Sequence, residues 1–298
     1  GFYDEDLLGN LTGEYPDFAW GDYAVDMREP ITLDDMFPEE TKEDEAPAVP
    51  EGEPKSKLGE IYQLGRHRLM CGDATNEEDV AKLVEKQKAD MVFTDPPYNV
   101  DYVGKNKDHL KMENDAQSPQ EFHNFLYLAF SLLRENSKAG ASIYVCHSDT
   151  ERINFTDAFI EAGWKLAQVI IWAKDQFVMG RQDYQWQHEP ILYGWQEGVT
   201  HLFHGGHSQS TIWNINRPKA SHEHPTMKPL ALISRALKNS SKEGDIILDT
   251  FGGSGSTLIA CEQMNRTCFM MELDPKYVDV IRERYKNFIS EQEKTEDG

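Results

Sequence analysis

A chain of 298 residues that is 39% apolar and 11% aromatic can bury the core of one large domain or of two modest ones. Its net charge of -22 argues at first against a nucleic-acid partner, but residues 1–53 carry -15 of it and residues 291–298 carry -3. Residues 54–290 carry only -4, so a nucleic-acid partner is not excluded for this nearly neutral body.

The first predicted region is an acidic N-terminal tail or linker over residues 1–57. Its stretch 38–57, PEETKEDEAPAVPEGEPKSK, is too rich in proline and acid to bury a core of its own. We predict a single folded domain over 58–290 and a second acidic tail over 291–298.

From Gly59 onward, short apolar runs alternate with helical patterns, which is typical of an α/β protein with a largely parallel sheet. Each short apolar run that is bounded by turn signals predicts a strand. Seven strands are predicted in this way, at residues 60–64, 67–71, 91–94, 142–146, 168–172, 246–248 and 268–271.

Three helices have recognisable start signals. Thr75 opens a capping box that predicts a helix over 79–85, and Ser118, with Pro119 at the first helical position, opens another that reaches about residue 134. The pair Asp274-Pro275 predicts a last helix over about 276–289. Residues 176–223 have no sustained period, so we predict an insertion on the α/β body there.

The four cysteines are scattered and have no CxxC spacing, which favours buried thiols in a reducing compartment over disulfides or a zinc ribbon. No apolar run approaches the ~20 residues that a membrane-spanning helix needs. The start of the chain is acidic and does not resemble a signal peptide. We therefore expect a cytoplasmic protein.

A glycine-rich turn follows the predicted strand at 246–248. The sequence DIILDTFGGSGST, residues 245–257, ends an apolar strand at Asp249 and leads through Gly252, Gly253 and Gly255 into a helix. Such glycines let the backbone approach a ligand, and the acid Glu272 at the next strand end can accept hydrogen bonds from both hydroxyls of a ribose. The pattern predicts a nucleoside cofactor, and a nicotinamide dinucleotide stays open at this point.

A rigid acidic corner follows the predicted strand at 91–94. Asp95 is succeeded by two prolines, Pro96 and Pro97, and by Tyr98. The prolines stiffen the backbone and donate no N–H, so the corner holds a carboxylate, at least one free carbonyl (Pro96) and an aromatic ring. Two acceptors and a ring face suit the exocyclic amino group of a nucleobase. We predict that Asp95 and Asp249 converge on one cleft.

The motif Asp95-Pro96-Pro97-Tyr98, followed far downstream by FGGSGS (residues 251–256), resembles the amino-group DNA methyltransferases that use S-adenosylmethionine. Because the acceptor motif precedes the cofactor motif, the chain is similar to the permuted β class of that family, of the DPPY type. The resemblance covers nearly all of 58–290. It implies an α/β, Rossmann-like methyltransferase fold with a mixed seven-stranded sheet, helices on both faces and a small target-recognition insertion.

The same resemblance implies which residues bind the cofactor. CGDA (71–74) is similar to the family segment with an acid near the cofactor adenine, and HPTMKP (224–229) is similar to a segment near the methionine carboxylate. Residues 170–194 resemble the segment that leads into target recognition. The implied cofactor-binding residues are Asp73, Thr226, Lys228, Asp249, Phe251, Gly252, Gly253, Ser254, Gly255 and Glu272.

The mechanism that the resemblance implies begins with flipping the target base out of double-stranded DNA, because its amine is unreachable while stacked. Tyr98 would stack on the base, and Asp95 with the Pro96 carbonyl would hold the two amino hydrogens. Methyl transfer would be direct, without a metal. An aspartate at the first motif position favours N6 of adenine over N4 of cytosine in this family.

Basic residues interleaved with aromatic ones inside 176–223 suit phosphate contact and base stacking. The lysines after the acidic corner fit a solvated loop as well as a phosphate clamp. The evenly spaced His201, His204 and His207 lack an acid or cysteine that would complete a site, so no metal is predicted. The predicted DNA-contacting residues are Lys105, Lys107, Arg181, Tyr184, Arg217 and Lys219.

Two alternatives to adenine methylation remain. One is N4-cytosine methylation, and the other is a DNA-binding module with a degenerate cofactor fold. The family resemblance also makes a homodimer and a restriction partner candidates. The start of the chain, GFYDEDLLGNL, resembles the end of a nuclease-like ParB module, which makes such a module a further candidate partner.

Overall fold

The computed structural model describes residues 45–99, 117–180, 182–217 and 227–296. All of them lie in the compact unit Glu43–Gly298. Among these residues no helix is long and apolar enough to span a membrane. The predicted site residues Lys105, Lys107, Arg181, Lys219 and Thr226 lie outside the described residues, as does most of the predicted N-terminal tail.

A single mixed sheet organises the described part of the chain. Its strands follow the order β1-β2-β9-β8-β3-β4-β6-β5-β7. The pairs β1/β2, β4/β6 and β5/β6 are antiparallel, and the others are parallel. The strand bounds are β1 Ile61–Leu64, β2 His67–Cys71, β3 Ala89–Thr94, β4 Ser137–Cys146, β5 Lys165–Val178, β6 Trp186–Trp195, β7 Ile212–Asn214, β8 Ile246–Asp249 and β9 Thr267–Glu272.

The sheet has nine strands in the described residues, so the expected count of seven was wrong. All seven strands predicted from apolar runs are present. The two that were missed, β6 and β7, both lie inside 176–223, so this segment is not a separate insertion on the body. Its strand β6 is inserted between β4 and β5 in the sheet. The polar start of β6, WQHEP, concealed the apolar run that follows it.

The helices of the described residues cover both faces of the sheet. On one face the core contains residues of α4 and α5, such as Leu237 and Leu258, and on the other it contains residues of α1, α2 and α3, such as Leu83 and Phe155. This arrangement confirms the predicted α/β class. The bounds are α1 Glu77–Val84, α2 Pro119–Glu135, α3 Arg152–Glu161, α4 Leu230–Ser240, α5 Ser256–Gln263 and α6 Pro275–Glu296, with a 3-10 turn at Asp149–Glu151.

The capping signals gave mixed results. The Ser118 capping box is present, with the Glu121 carboxylate accepting the Ser118 backbone N–H, and α2 follows it as predicted. The Thr75 box was wrong, because Asn76 caps α1 through the backbone N–H groups of Glu78 and Asp79. Thr75 instead donates its hydroxyl to Asp73, so it belongs to the preceding turn.

Both predicted tails are shorter than expected in the described residues. The Lys55 and Ser56 backbone N–H groups and the Ser56 hydroxyl donate to the carboxylate of Asp279 on α6, so the body begins before residue 58. At the other end, α6 continues to Glu296, through most of the segment predicted as a tail. At the amino end, hydrogen bonds to Asp279 bring part of the predicted tail into the folded body. At the carboxyl end, the last helix itself continues into the acid-rich sequence.

The topology brings several chain segments to one edge of the sheet. Strands β2, β9, β8, β3 and β4 run parallel, so their carboxyl ends lie side by side. Strand β6 runs the opposite way and starts at that edge, since Ile191 pairs with Cys146 at the end of β4. Ligands of open α/β sheets bind at the carboxyl ends of the strands. This edge therefore holds the candidate site.

Candidate active site

The two sequence motifs meet where β3 and β8 end. These strands are neighbours, with Val92 paired to Leu248. The hydroxyl of Thr94, the last residue of β3, donates to Oδ1 of Asp249 over 2.9 Å. Asp95 follows Thr94 directly, so the structure confirms that the acidic corner and the glycine-rich turn converge at one edge of the sheet.

In the acidic corner, both carboxylate oxygens of Asp95 have hydrogen-bond partners. Asp95 accepts a hydrogen bond from the Tyr98 hydroxyl at Oδ1, over 2.7 Å. At Oδ2 it pairs with the Lys228 ammonium, also at short range, 2.6 Å. Pro96 is buried and Pro97 half-buried, which fixes the backbone between the aspartate and the ring. The corner thus holds its carboxylate and ring in a set geometry.

A second carboxylate, which the sequence did not predict, lies against this corner. Glu189 on β6 places Oε2 3.4 Å from the Lys228 ammonium and 3.3 Å from the Tyr98 hydroxyl. Its other oxygen, Oε1, accepts from Lys174 on β5 over 2.5 Å. Asp95, Tyr98, Lys174, Glu189 and Lys228 therefore form one network, called here the Asp95 cluster.

Burial and charge act against each other in the Asp95 cluster. Burial raises the pKa of Asp95, and the ammonium of Lys228 only partly offsets it. Burial also acts to raise the pKa of Glu189, but Lys228 and Lys174 outweigh it and bring that pKa down to about 2. The two carboxylates raise the pKa of Lys228 although burial acts to lower it. Glu189 and Lys228 are therefore ionised at neutral pH.

The glycine-rich turn between β8 and α5 forms a close-fitting cradle. A Cβ on Gly252 would lie 2.8 Å from Met270 Cγ, and Gly253 and Gly255 have φ angles of 53° and 89° that favour glycine. Arg284 on α6 donates to the carbonyl of Ser254 over 2.9 Å and fixes the turn from behind. The buried hydroxyl of Thr250 has no hydrogen-bond partner among the residues that the structure describes.

Glu272, at the end of β9, lies at the rim of this cradle. Its Oε2 accepts the Gly253 backbone N–H over 2.8 Å, and its Oε1 accepts the Asp274 backbone N–H over 3.0 Å. Burial raises the pKa of Glu272 to about 7, although these two N–H groups act to lower it. A half-buried carboxylate with spare lone pairs is suited to accept ribose hydroxyls.

Asp73 follows the end of β2, which pairs with β9 so that Cys71 is opposite Glu272. Its Oδ1 accepts the backbone N–H and the hydroxyl of Thr75, both over 2.8 Å. Asp249 is buried, accepts the Phe251 backbone N–H and has a pKa that burial raises to about 7. The half-buried Phe251 ring packs edge-on against Phe125 of α2.

The residues at the cradle fit a nucleoside cofactor. Glycines let the turn pack closely on Met270 and Ile281. The buried Thr250 hydroxyl has no hydrogen-bond partner among the described residues, and two acids lie at or just after neighbouring strand ends. These groups would contact a sugar and a base by hydrogen bonds. No phosphate-binding lysine follows the turn, which does not favour a nucleoside triphosphate.

The described residues predicted to contact DNA are placed at the surface or in loops. Tyr184, between β5 and β6, is 91% exposed, and the backbone N–H of Arg217 donates to Asp175. His201 stacks on Trp195 with 3.7 Å between ring centroids. The described residues contain no group of three His, Cys, Asp or Glu that could hold a metal ion. All four cysteines are buried and free, as predicted.

Two site residues, Glu189 and Lys174, escaped the sequence analysis. Both lie inside the segment 170–194 that resembles the lead-in to target recognition, but no role was predicted for either. They come together because β5 and β6 form an antiparallel pair in which Trp172 faces Glu189. The available signal was a lone acid immediately before the buried run 190–194. Lys228, predicted near the methionine carboxylate of the cofactor, has its ammonium on Asp95 in this structure.

The sheet, the cradle and the acidic corner together define a Rossmann-like methyltransferase fold. Residues 89–283 match the model of the DNA methylase family, N6_N4_Mtase, and the chain belongs to this family.

Among its curated relatives are the type II methyltransferase M.HpaI of Haemophilus parainfluenzae and the DNA adenine methyltransferase YhdJ of Escherichia coli. M.HpaI is 26% identical over 73% of each chain. YhdJ is 27% identical over 70% of this chain and 79% of its own.

Two solved structures share the fold at lower sequence identity. The M1.HpyAVI–SAM complex is 21% identical, with a TM-score of 0.56, and covers 73% of this chain and 98% of its own. The cytosine-N4-specific PvuII DNA methyltransferase is 14% identical, with a TM-score of 0.60, and covers 78% and 94%. These two likenesses extend to the fold alone.

Proposed function

We propose that this protein is a site-specific DNA methyltransferase that transfers a methyl group from S-adenosylmethionine to N6 of an adenine flipped out of double-stranded DNA. The observation that carries the proposal is the direct link between the two motifs, the 2.9 Å hydrogen bond from Thr94 to Asp249. It sets an acceptor for an amino group beside a nucleoside cradle. Membership of the DNA methylase family and similarity to YhdJ, named a DNA adenine methyltransferase, support it.

The cofactor would lie along the carboxyl ends of β2, β9 and β8. Glu272 would accept the ribose hydroxyls, Asp73 would approach the adenine, and the turn at 249–255 would line the methionine portion. S-adenosylmethionine supplies an electrophilic methyl group on a sulfonium. Contacts of Thr226 and Lys228 with the methionine carboxylate remain predictions.

The acidic corner would hold the target amine. Asp95 and the Pro96 carbonyl would accept its two hydrogens, which turns the nitrogen lone pair out of the base plane, and the Tyr98 ring would stack on the base. Alignment of this kind can supply on the order of 7–11 kcal/mol. The nitrogen gains a methyl group and loses one proton, which the Asp95 carboxylate can accept because burial raises its pKa.

The finer class follows from motif order. Because the acceptor corner at 95–98 precedes the cofactor turn at 249–255, the chain fits the permuted β arrangement with a DPPY motif. A target-recognition role for the loops that flank β6 and β7 is part of this proposal. A homodimer, a restriction or ParB-like partner and a cytoplasmic location remain predictions.

The modified base tests the proposal. Methylation-free plasmid would be incubated with the purified protein and methyl-labelled S-adenosylmethionine, digested to nucleosides and separated. We expect the label in N6-methyl-2′-deoxyadenosine. Label in N4-methyl-2′-deoxycytidine would replace adenine by cytosine as the substrate. Absence of label together with no cofactor binding by calorimetry would indicate a DNA-binding module instead.

A further inference from the structure

The ammonium of Lys228 occupies the place that the proposed chemistry assigns to the target amine. It donates to Asp95 Oδ2 over 2.6 Å, and it lies 5.2 Å from the centroid of the Tyr98 ring. An amino group held by Asp95 and a base stacked on Tyr98 would need these same two contacts. Lys228 is only 7% exposed, so it fills this position as a buried group.

We propose that Lys228 is a displaceable stand-in for the target amino group, and that Glu189 is the positioning residue that receives its ammonium when the base enters. This inference rests on the proposed function. It assigns a role to a carboxylate for which the sequence predicted none. Glu189 acts through Lys228 and has no contact of its own with the base in this scheme.

The distances identify Glu189 as the receiving group. Its Oε2 is already 3.4 Å from the ammonium, so a small rotation of the lysine side chain brings the two into full contact. Glu189 also accepts from the Tyr98 hydroxyl over 3.3 Å. Tyr98 therefore bridges the two carboxylates between which the ammonium would move.

Charge balance explains why two carboxylates are needed. An ionised side chain left buried without a partner is strongly destabilising, so Lys228 cannot leave Asp95 for an apolar site. Glu189 is held in place by Lys174 at its Oε1, which leaves its Oε2 available for Lys228. The ammonium thus has a buried carboxylate partner before and after the base enters.

The first test removes the receiving charge with Glu189→Gln. Lys228 should then stay on Asp95 and compete with the target amine for it. Because this charge-assisted hydrogen bond is a strong one, we expect the KM for DNA to rise roughly tenfold or more. The value of kcat should change less than KM. Glu189→Asp should restore part of the affinity, because it returns the charge. An unchanged KM, or a loss confined to kcat, would overturn the inference.

The second test needs no methyl transfer. A duplex with 2-aminopurine at the target position, known from mapping the methylated sites, reports base extrusion by its fluorescence without cofactor. We expect Glu189→Gln to lower the fluorescence at saturating protein. Asp90→Asn is the matched control, because Asp90 also pairs with a lysine, over 2.6 Å, but at the other end of β3. The control should match the wild type.

A double-mutant cycle shows whether Glu189 acts through Lys228. In a Lys228→Met background there is no ammonium to receive, so adding Glu189→Gln should leave the 2-aminopurine signal unchanged. Persistence of the Glu189→Gln defect in that background would contradict the inference. If Glu189→Gln does not fold, the smaller defect expected of Glu189→Asp takes its place, and this defect should disappear in the Lys228→Met background. A wild type that methylates no DNA would refute the proposed function instead, so the two failures are distinguishable.

Discussion

Strand β3 has an aspartate–lysine pair at each end, and the two pairs differ in their surroundings. At the amino end, Asp90 pairs with Lys138 over 2.6 Å, and the lysine side chain is 53% exposed. At the carboxyl end, Asp95 pairs with Lys228 over the same distance, and the lysine side chain is 7% exposed. The chemistry of the pair is the same, so burial and neighbours make the difference.

The second partners of the two aspartates separate a structural pair from a functional one. Asp90 also accepts the Ile246 backbone N–H over 3.0 Å, which joins β3 to β8. Asp95 instead accepts a side-chain hydroxyl, from Tyr98, and its lysine is shared with Glu189. Backbone partners at one end stabilise the sheet, whereas exchangeable side-chain partners at the other can be replaced by a ligand.

The largest expected effect comes from breaking the carboxyl-end pair. Asp95→Ala removes the acceptor for the target amine and should lower kcat on the order of a thousandfold or more, as losses of positioned electrostatic groups do. Cofactor affinity should stay close to that of the wild type, because Asp95 lies outside the cradle. Single-turnover methyl transfer and calorimetry measure the two quantities. A parallel loss of cofactor binding would show that Asp95 is misassigned.

Another carboxylate at the carboxyl edge, Glu272, sharpens the comparison of the two ends of β3, because we assign it to the cofactor and not to the target base. Glu272→Ala should weaken cofactor binding roughly tenfold to a hundredfold, since hydrogen bonds to a charged group are each worth about 1.5–3 kcal/mol. DNA affinity should be unaffected. Calorimetric titration with S-adenosylhomocysteine gives the dissociation constant. An unchanged value would remove Glu272 from the ribose.

The same residue makes a prediction about pH and stability. Burial raises the pKa of Glu272 to about 7, so its favourable contribution is complete below its unfolded pKa of about 4.5 and is lost as the pH rises through 7. Relative to the wild type, Glu272→Gln should therefore gain stability between pH 4.5 and 7, on the order of 2 kcal/mol. Urea unfolding of the ligand-free proteins measures it. A difference that does not change with pH would contradict the raised pKa.

The smallest effect is expected at the amino-end pair. Lys138→Gln removes a half-exposed ammonium from Asp90 and should lower the free energy of unfolding by about 0.2–1 kcal/mol, the usual range for exposed pairs. The kcat, the KM for DNA and the cofactor affinity should match those of the wild type. A kinetic defect in this variant would mean that the two ends of β3 are not independent.

Local sequence was sufficient for the elements with strong internal signals. The apolar run before Asp95 and the run before Asp249 predicted two strands, and their adjacency in the sheet confirmed that the two motifs converge. The Ser118 capping box was correct because all of its partners lie within four residues. Because both motifs follow strands of a parallel sheet, the sequence was sufficient to predict that the acidic corner and the cradle lie together.

Tertiary pairing could not be predicted in this way. Strand β6 begins with polar residues that include the site residue Glu189, and this polar start hid the buried apolar run after it. Glu189 meets Lys228 through the register of β5 and β6 and the position of the segment before α4. Such contacts depend on three segments at once, and no local pattern encodes them.

The most direct measurement is a single-molecule sequencing map of methylation-free plasmid after treatment with the purified wild-type protein and S-adenosylmethionine. The account predicts N6-methylated adenines that recur at one short sequence and are absent after treatment with Asp95→Ala. Unmodified plasmid, modification confined to cytosine, or the same adenine map from Asp95→Ala would contradict it.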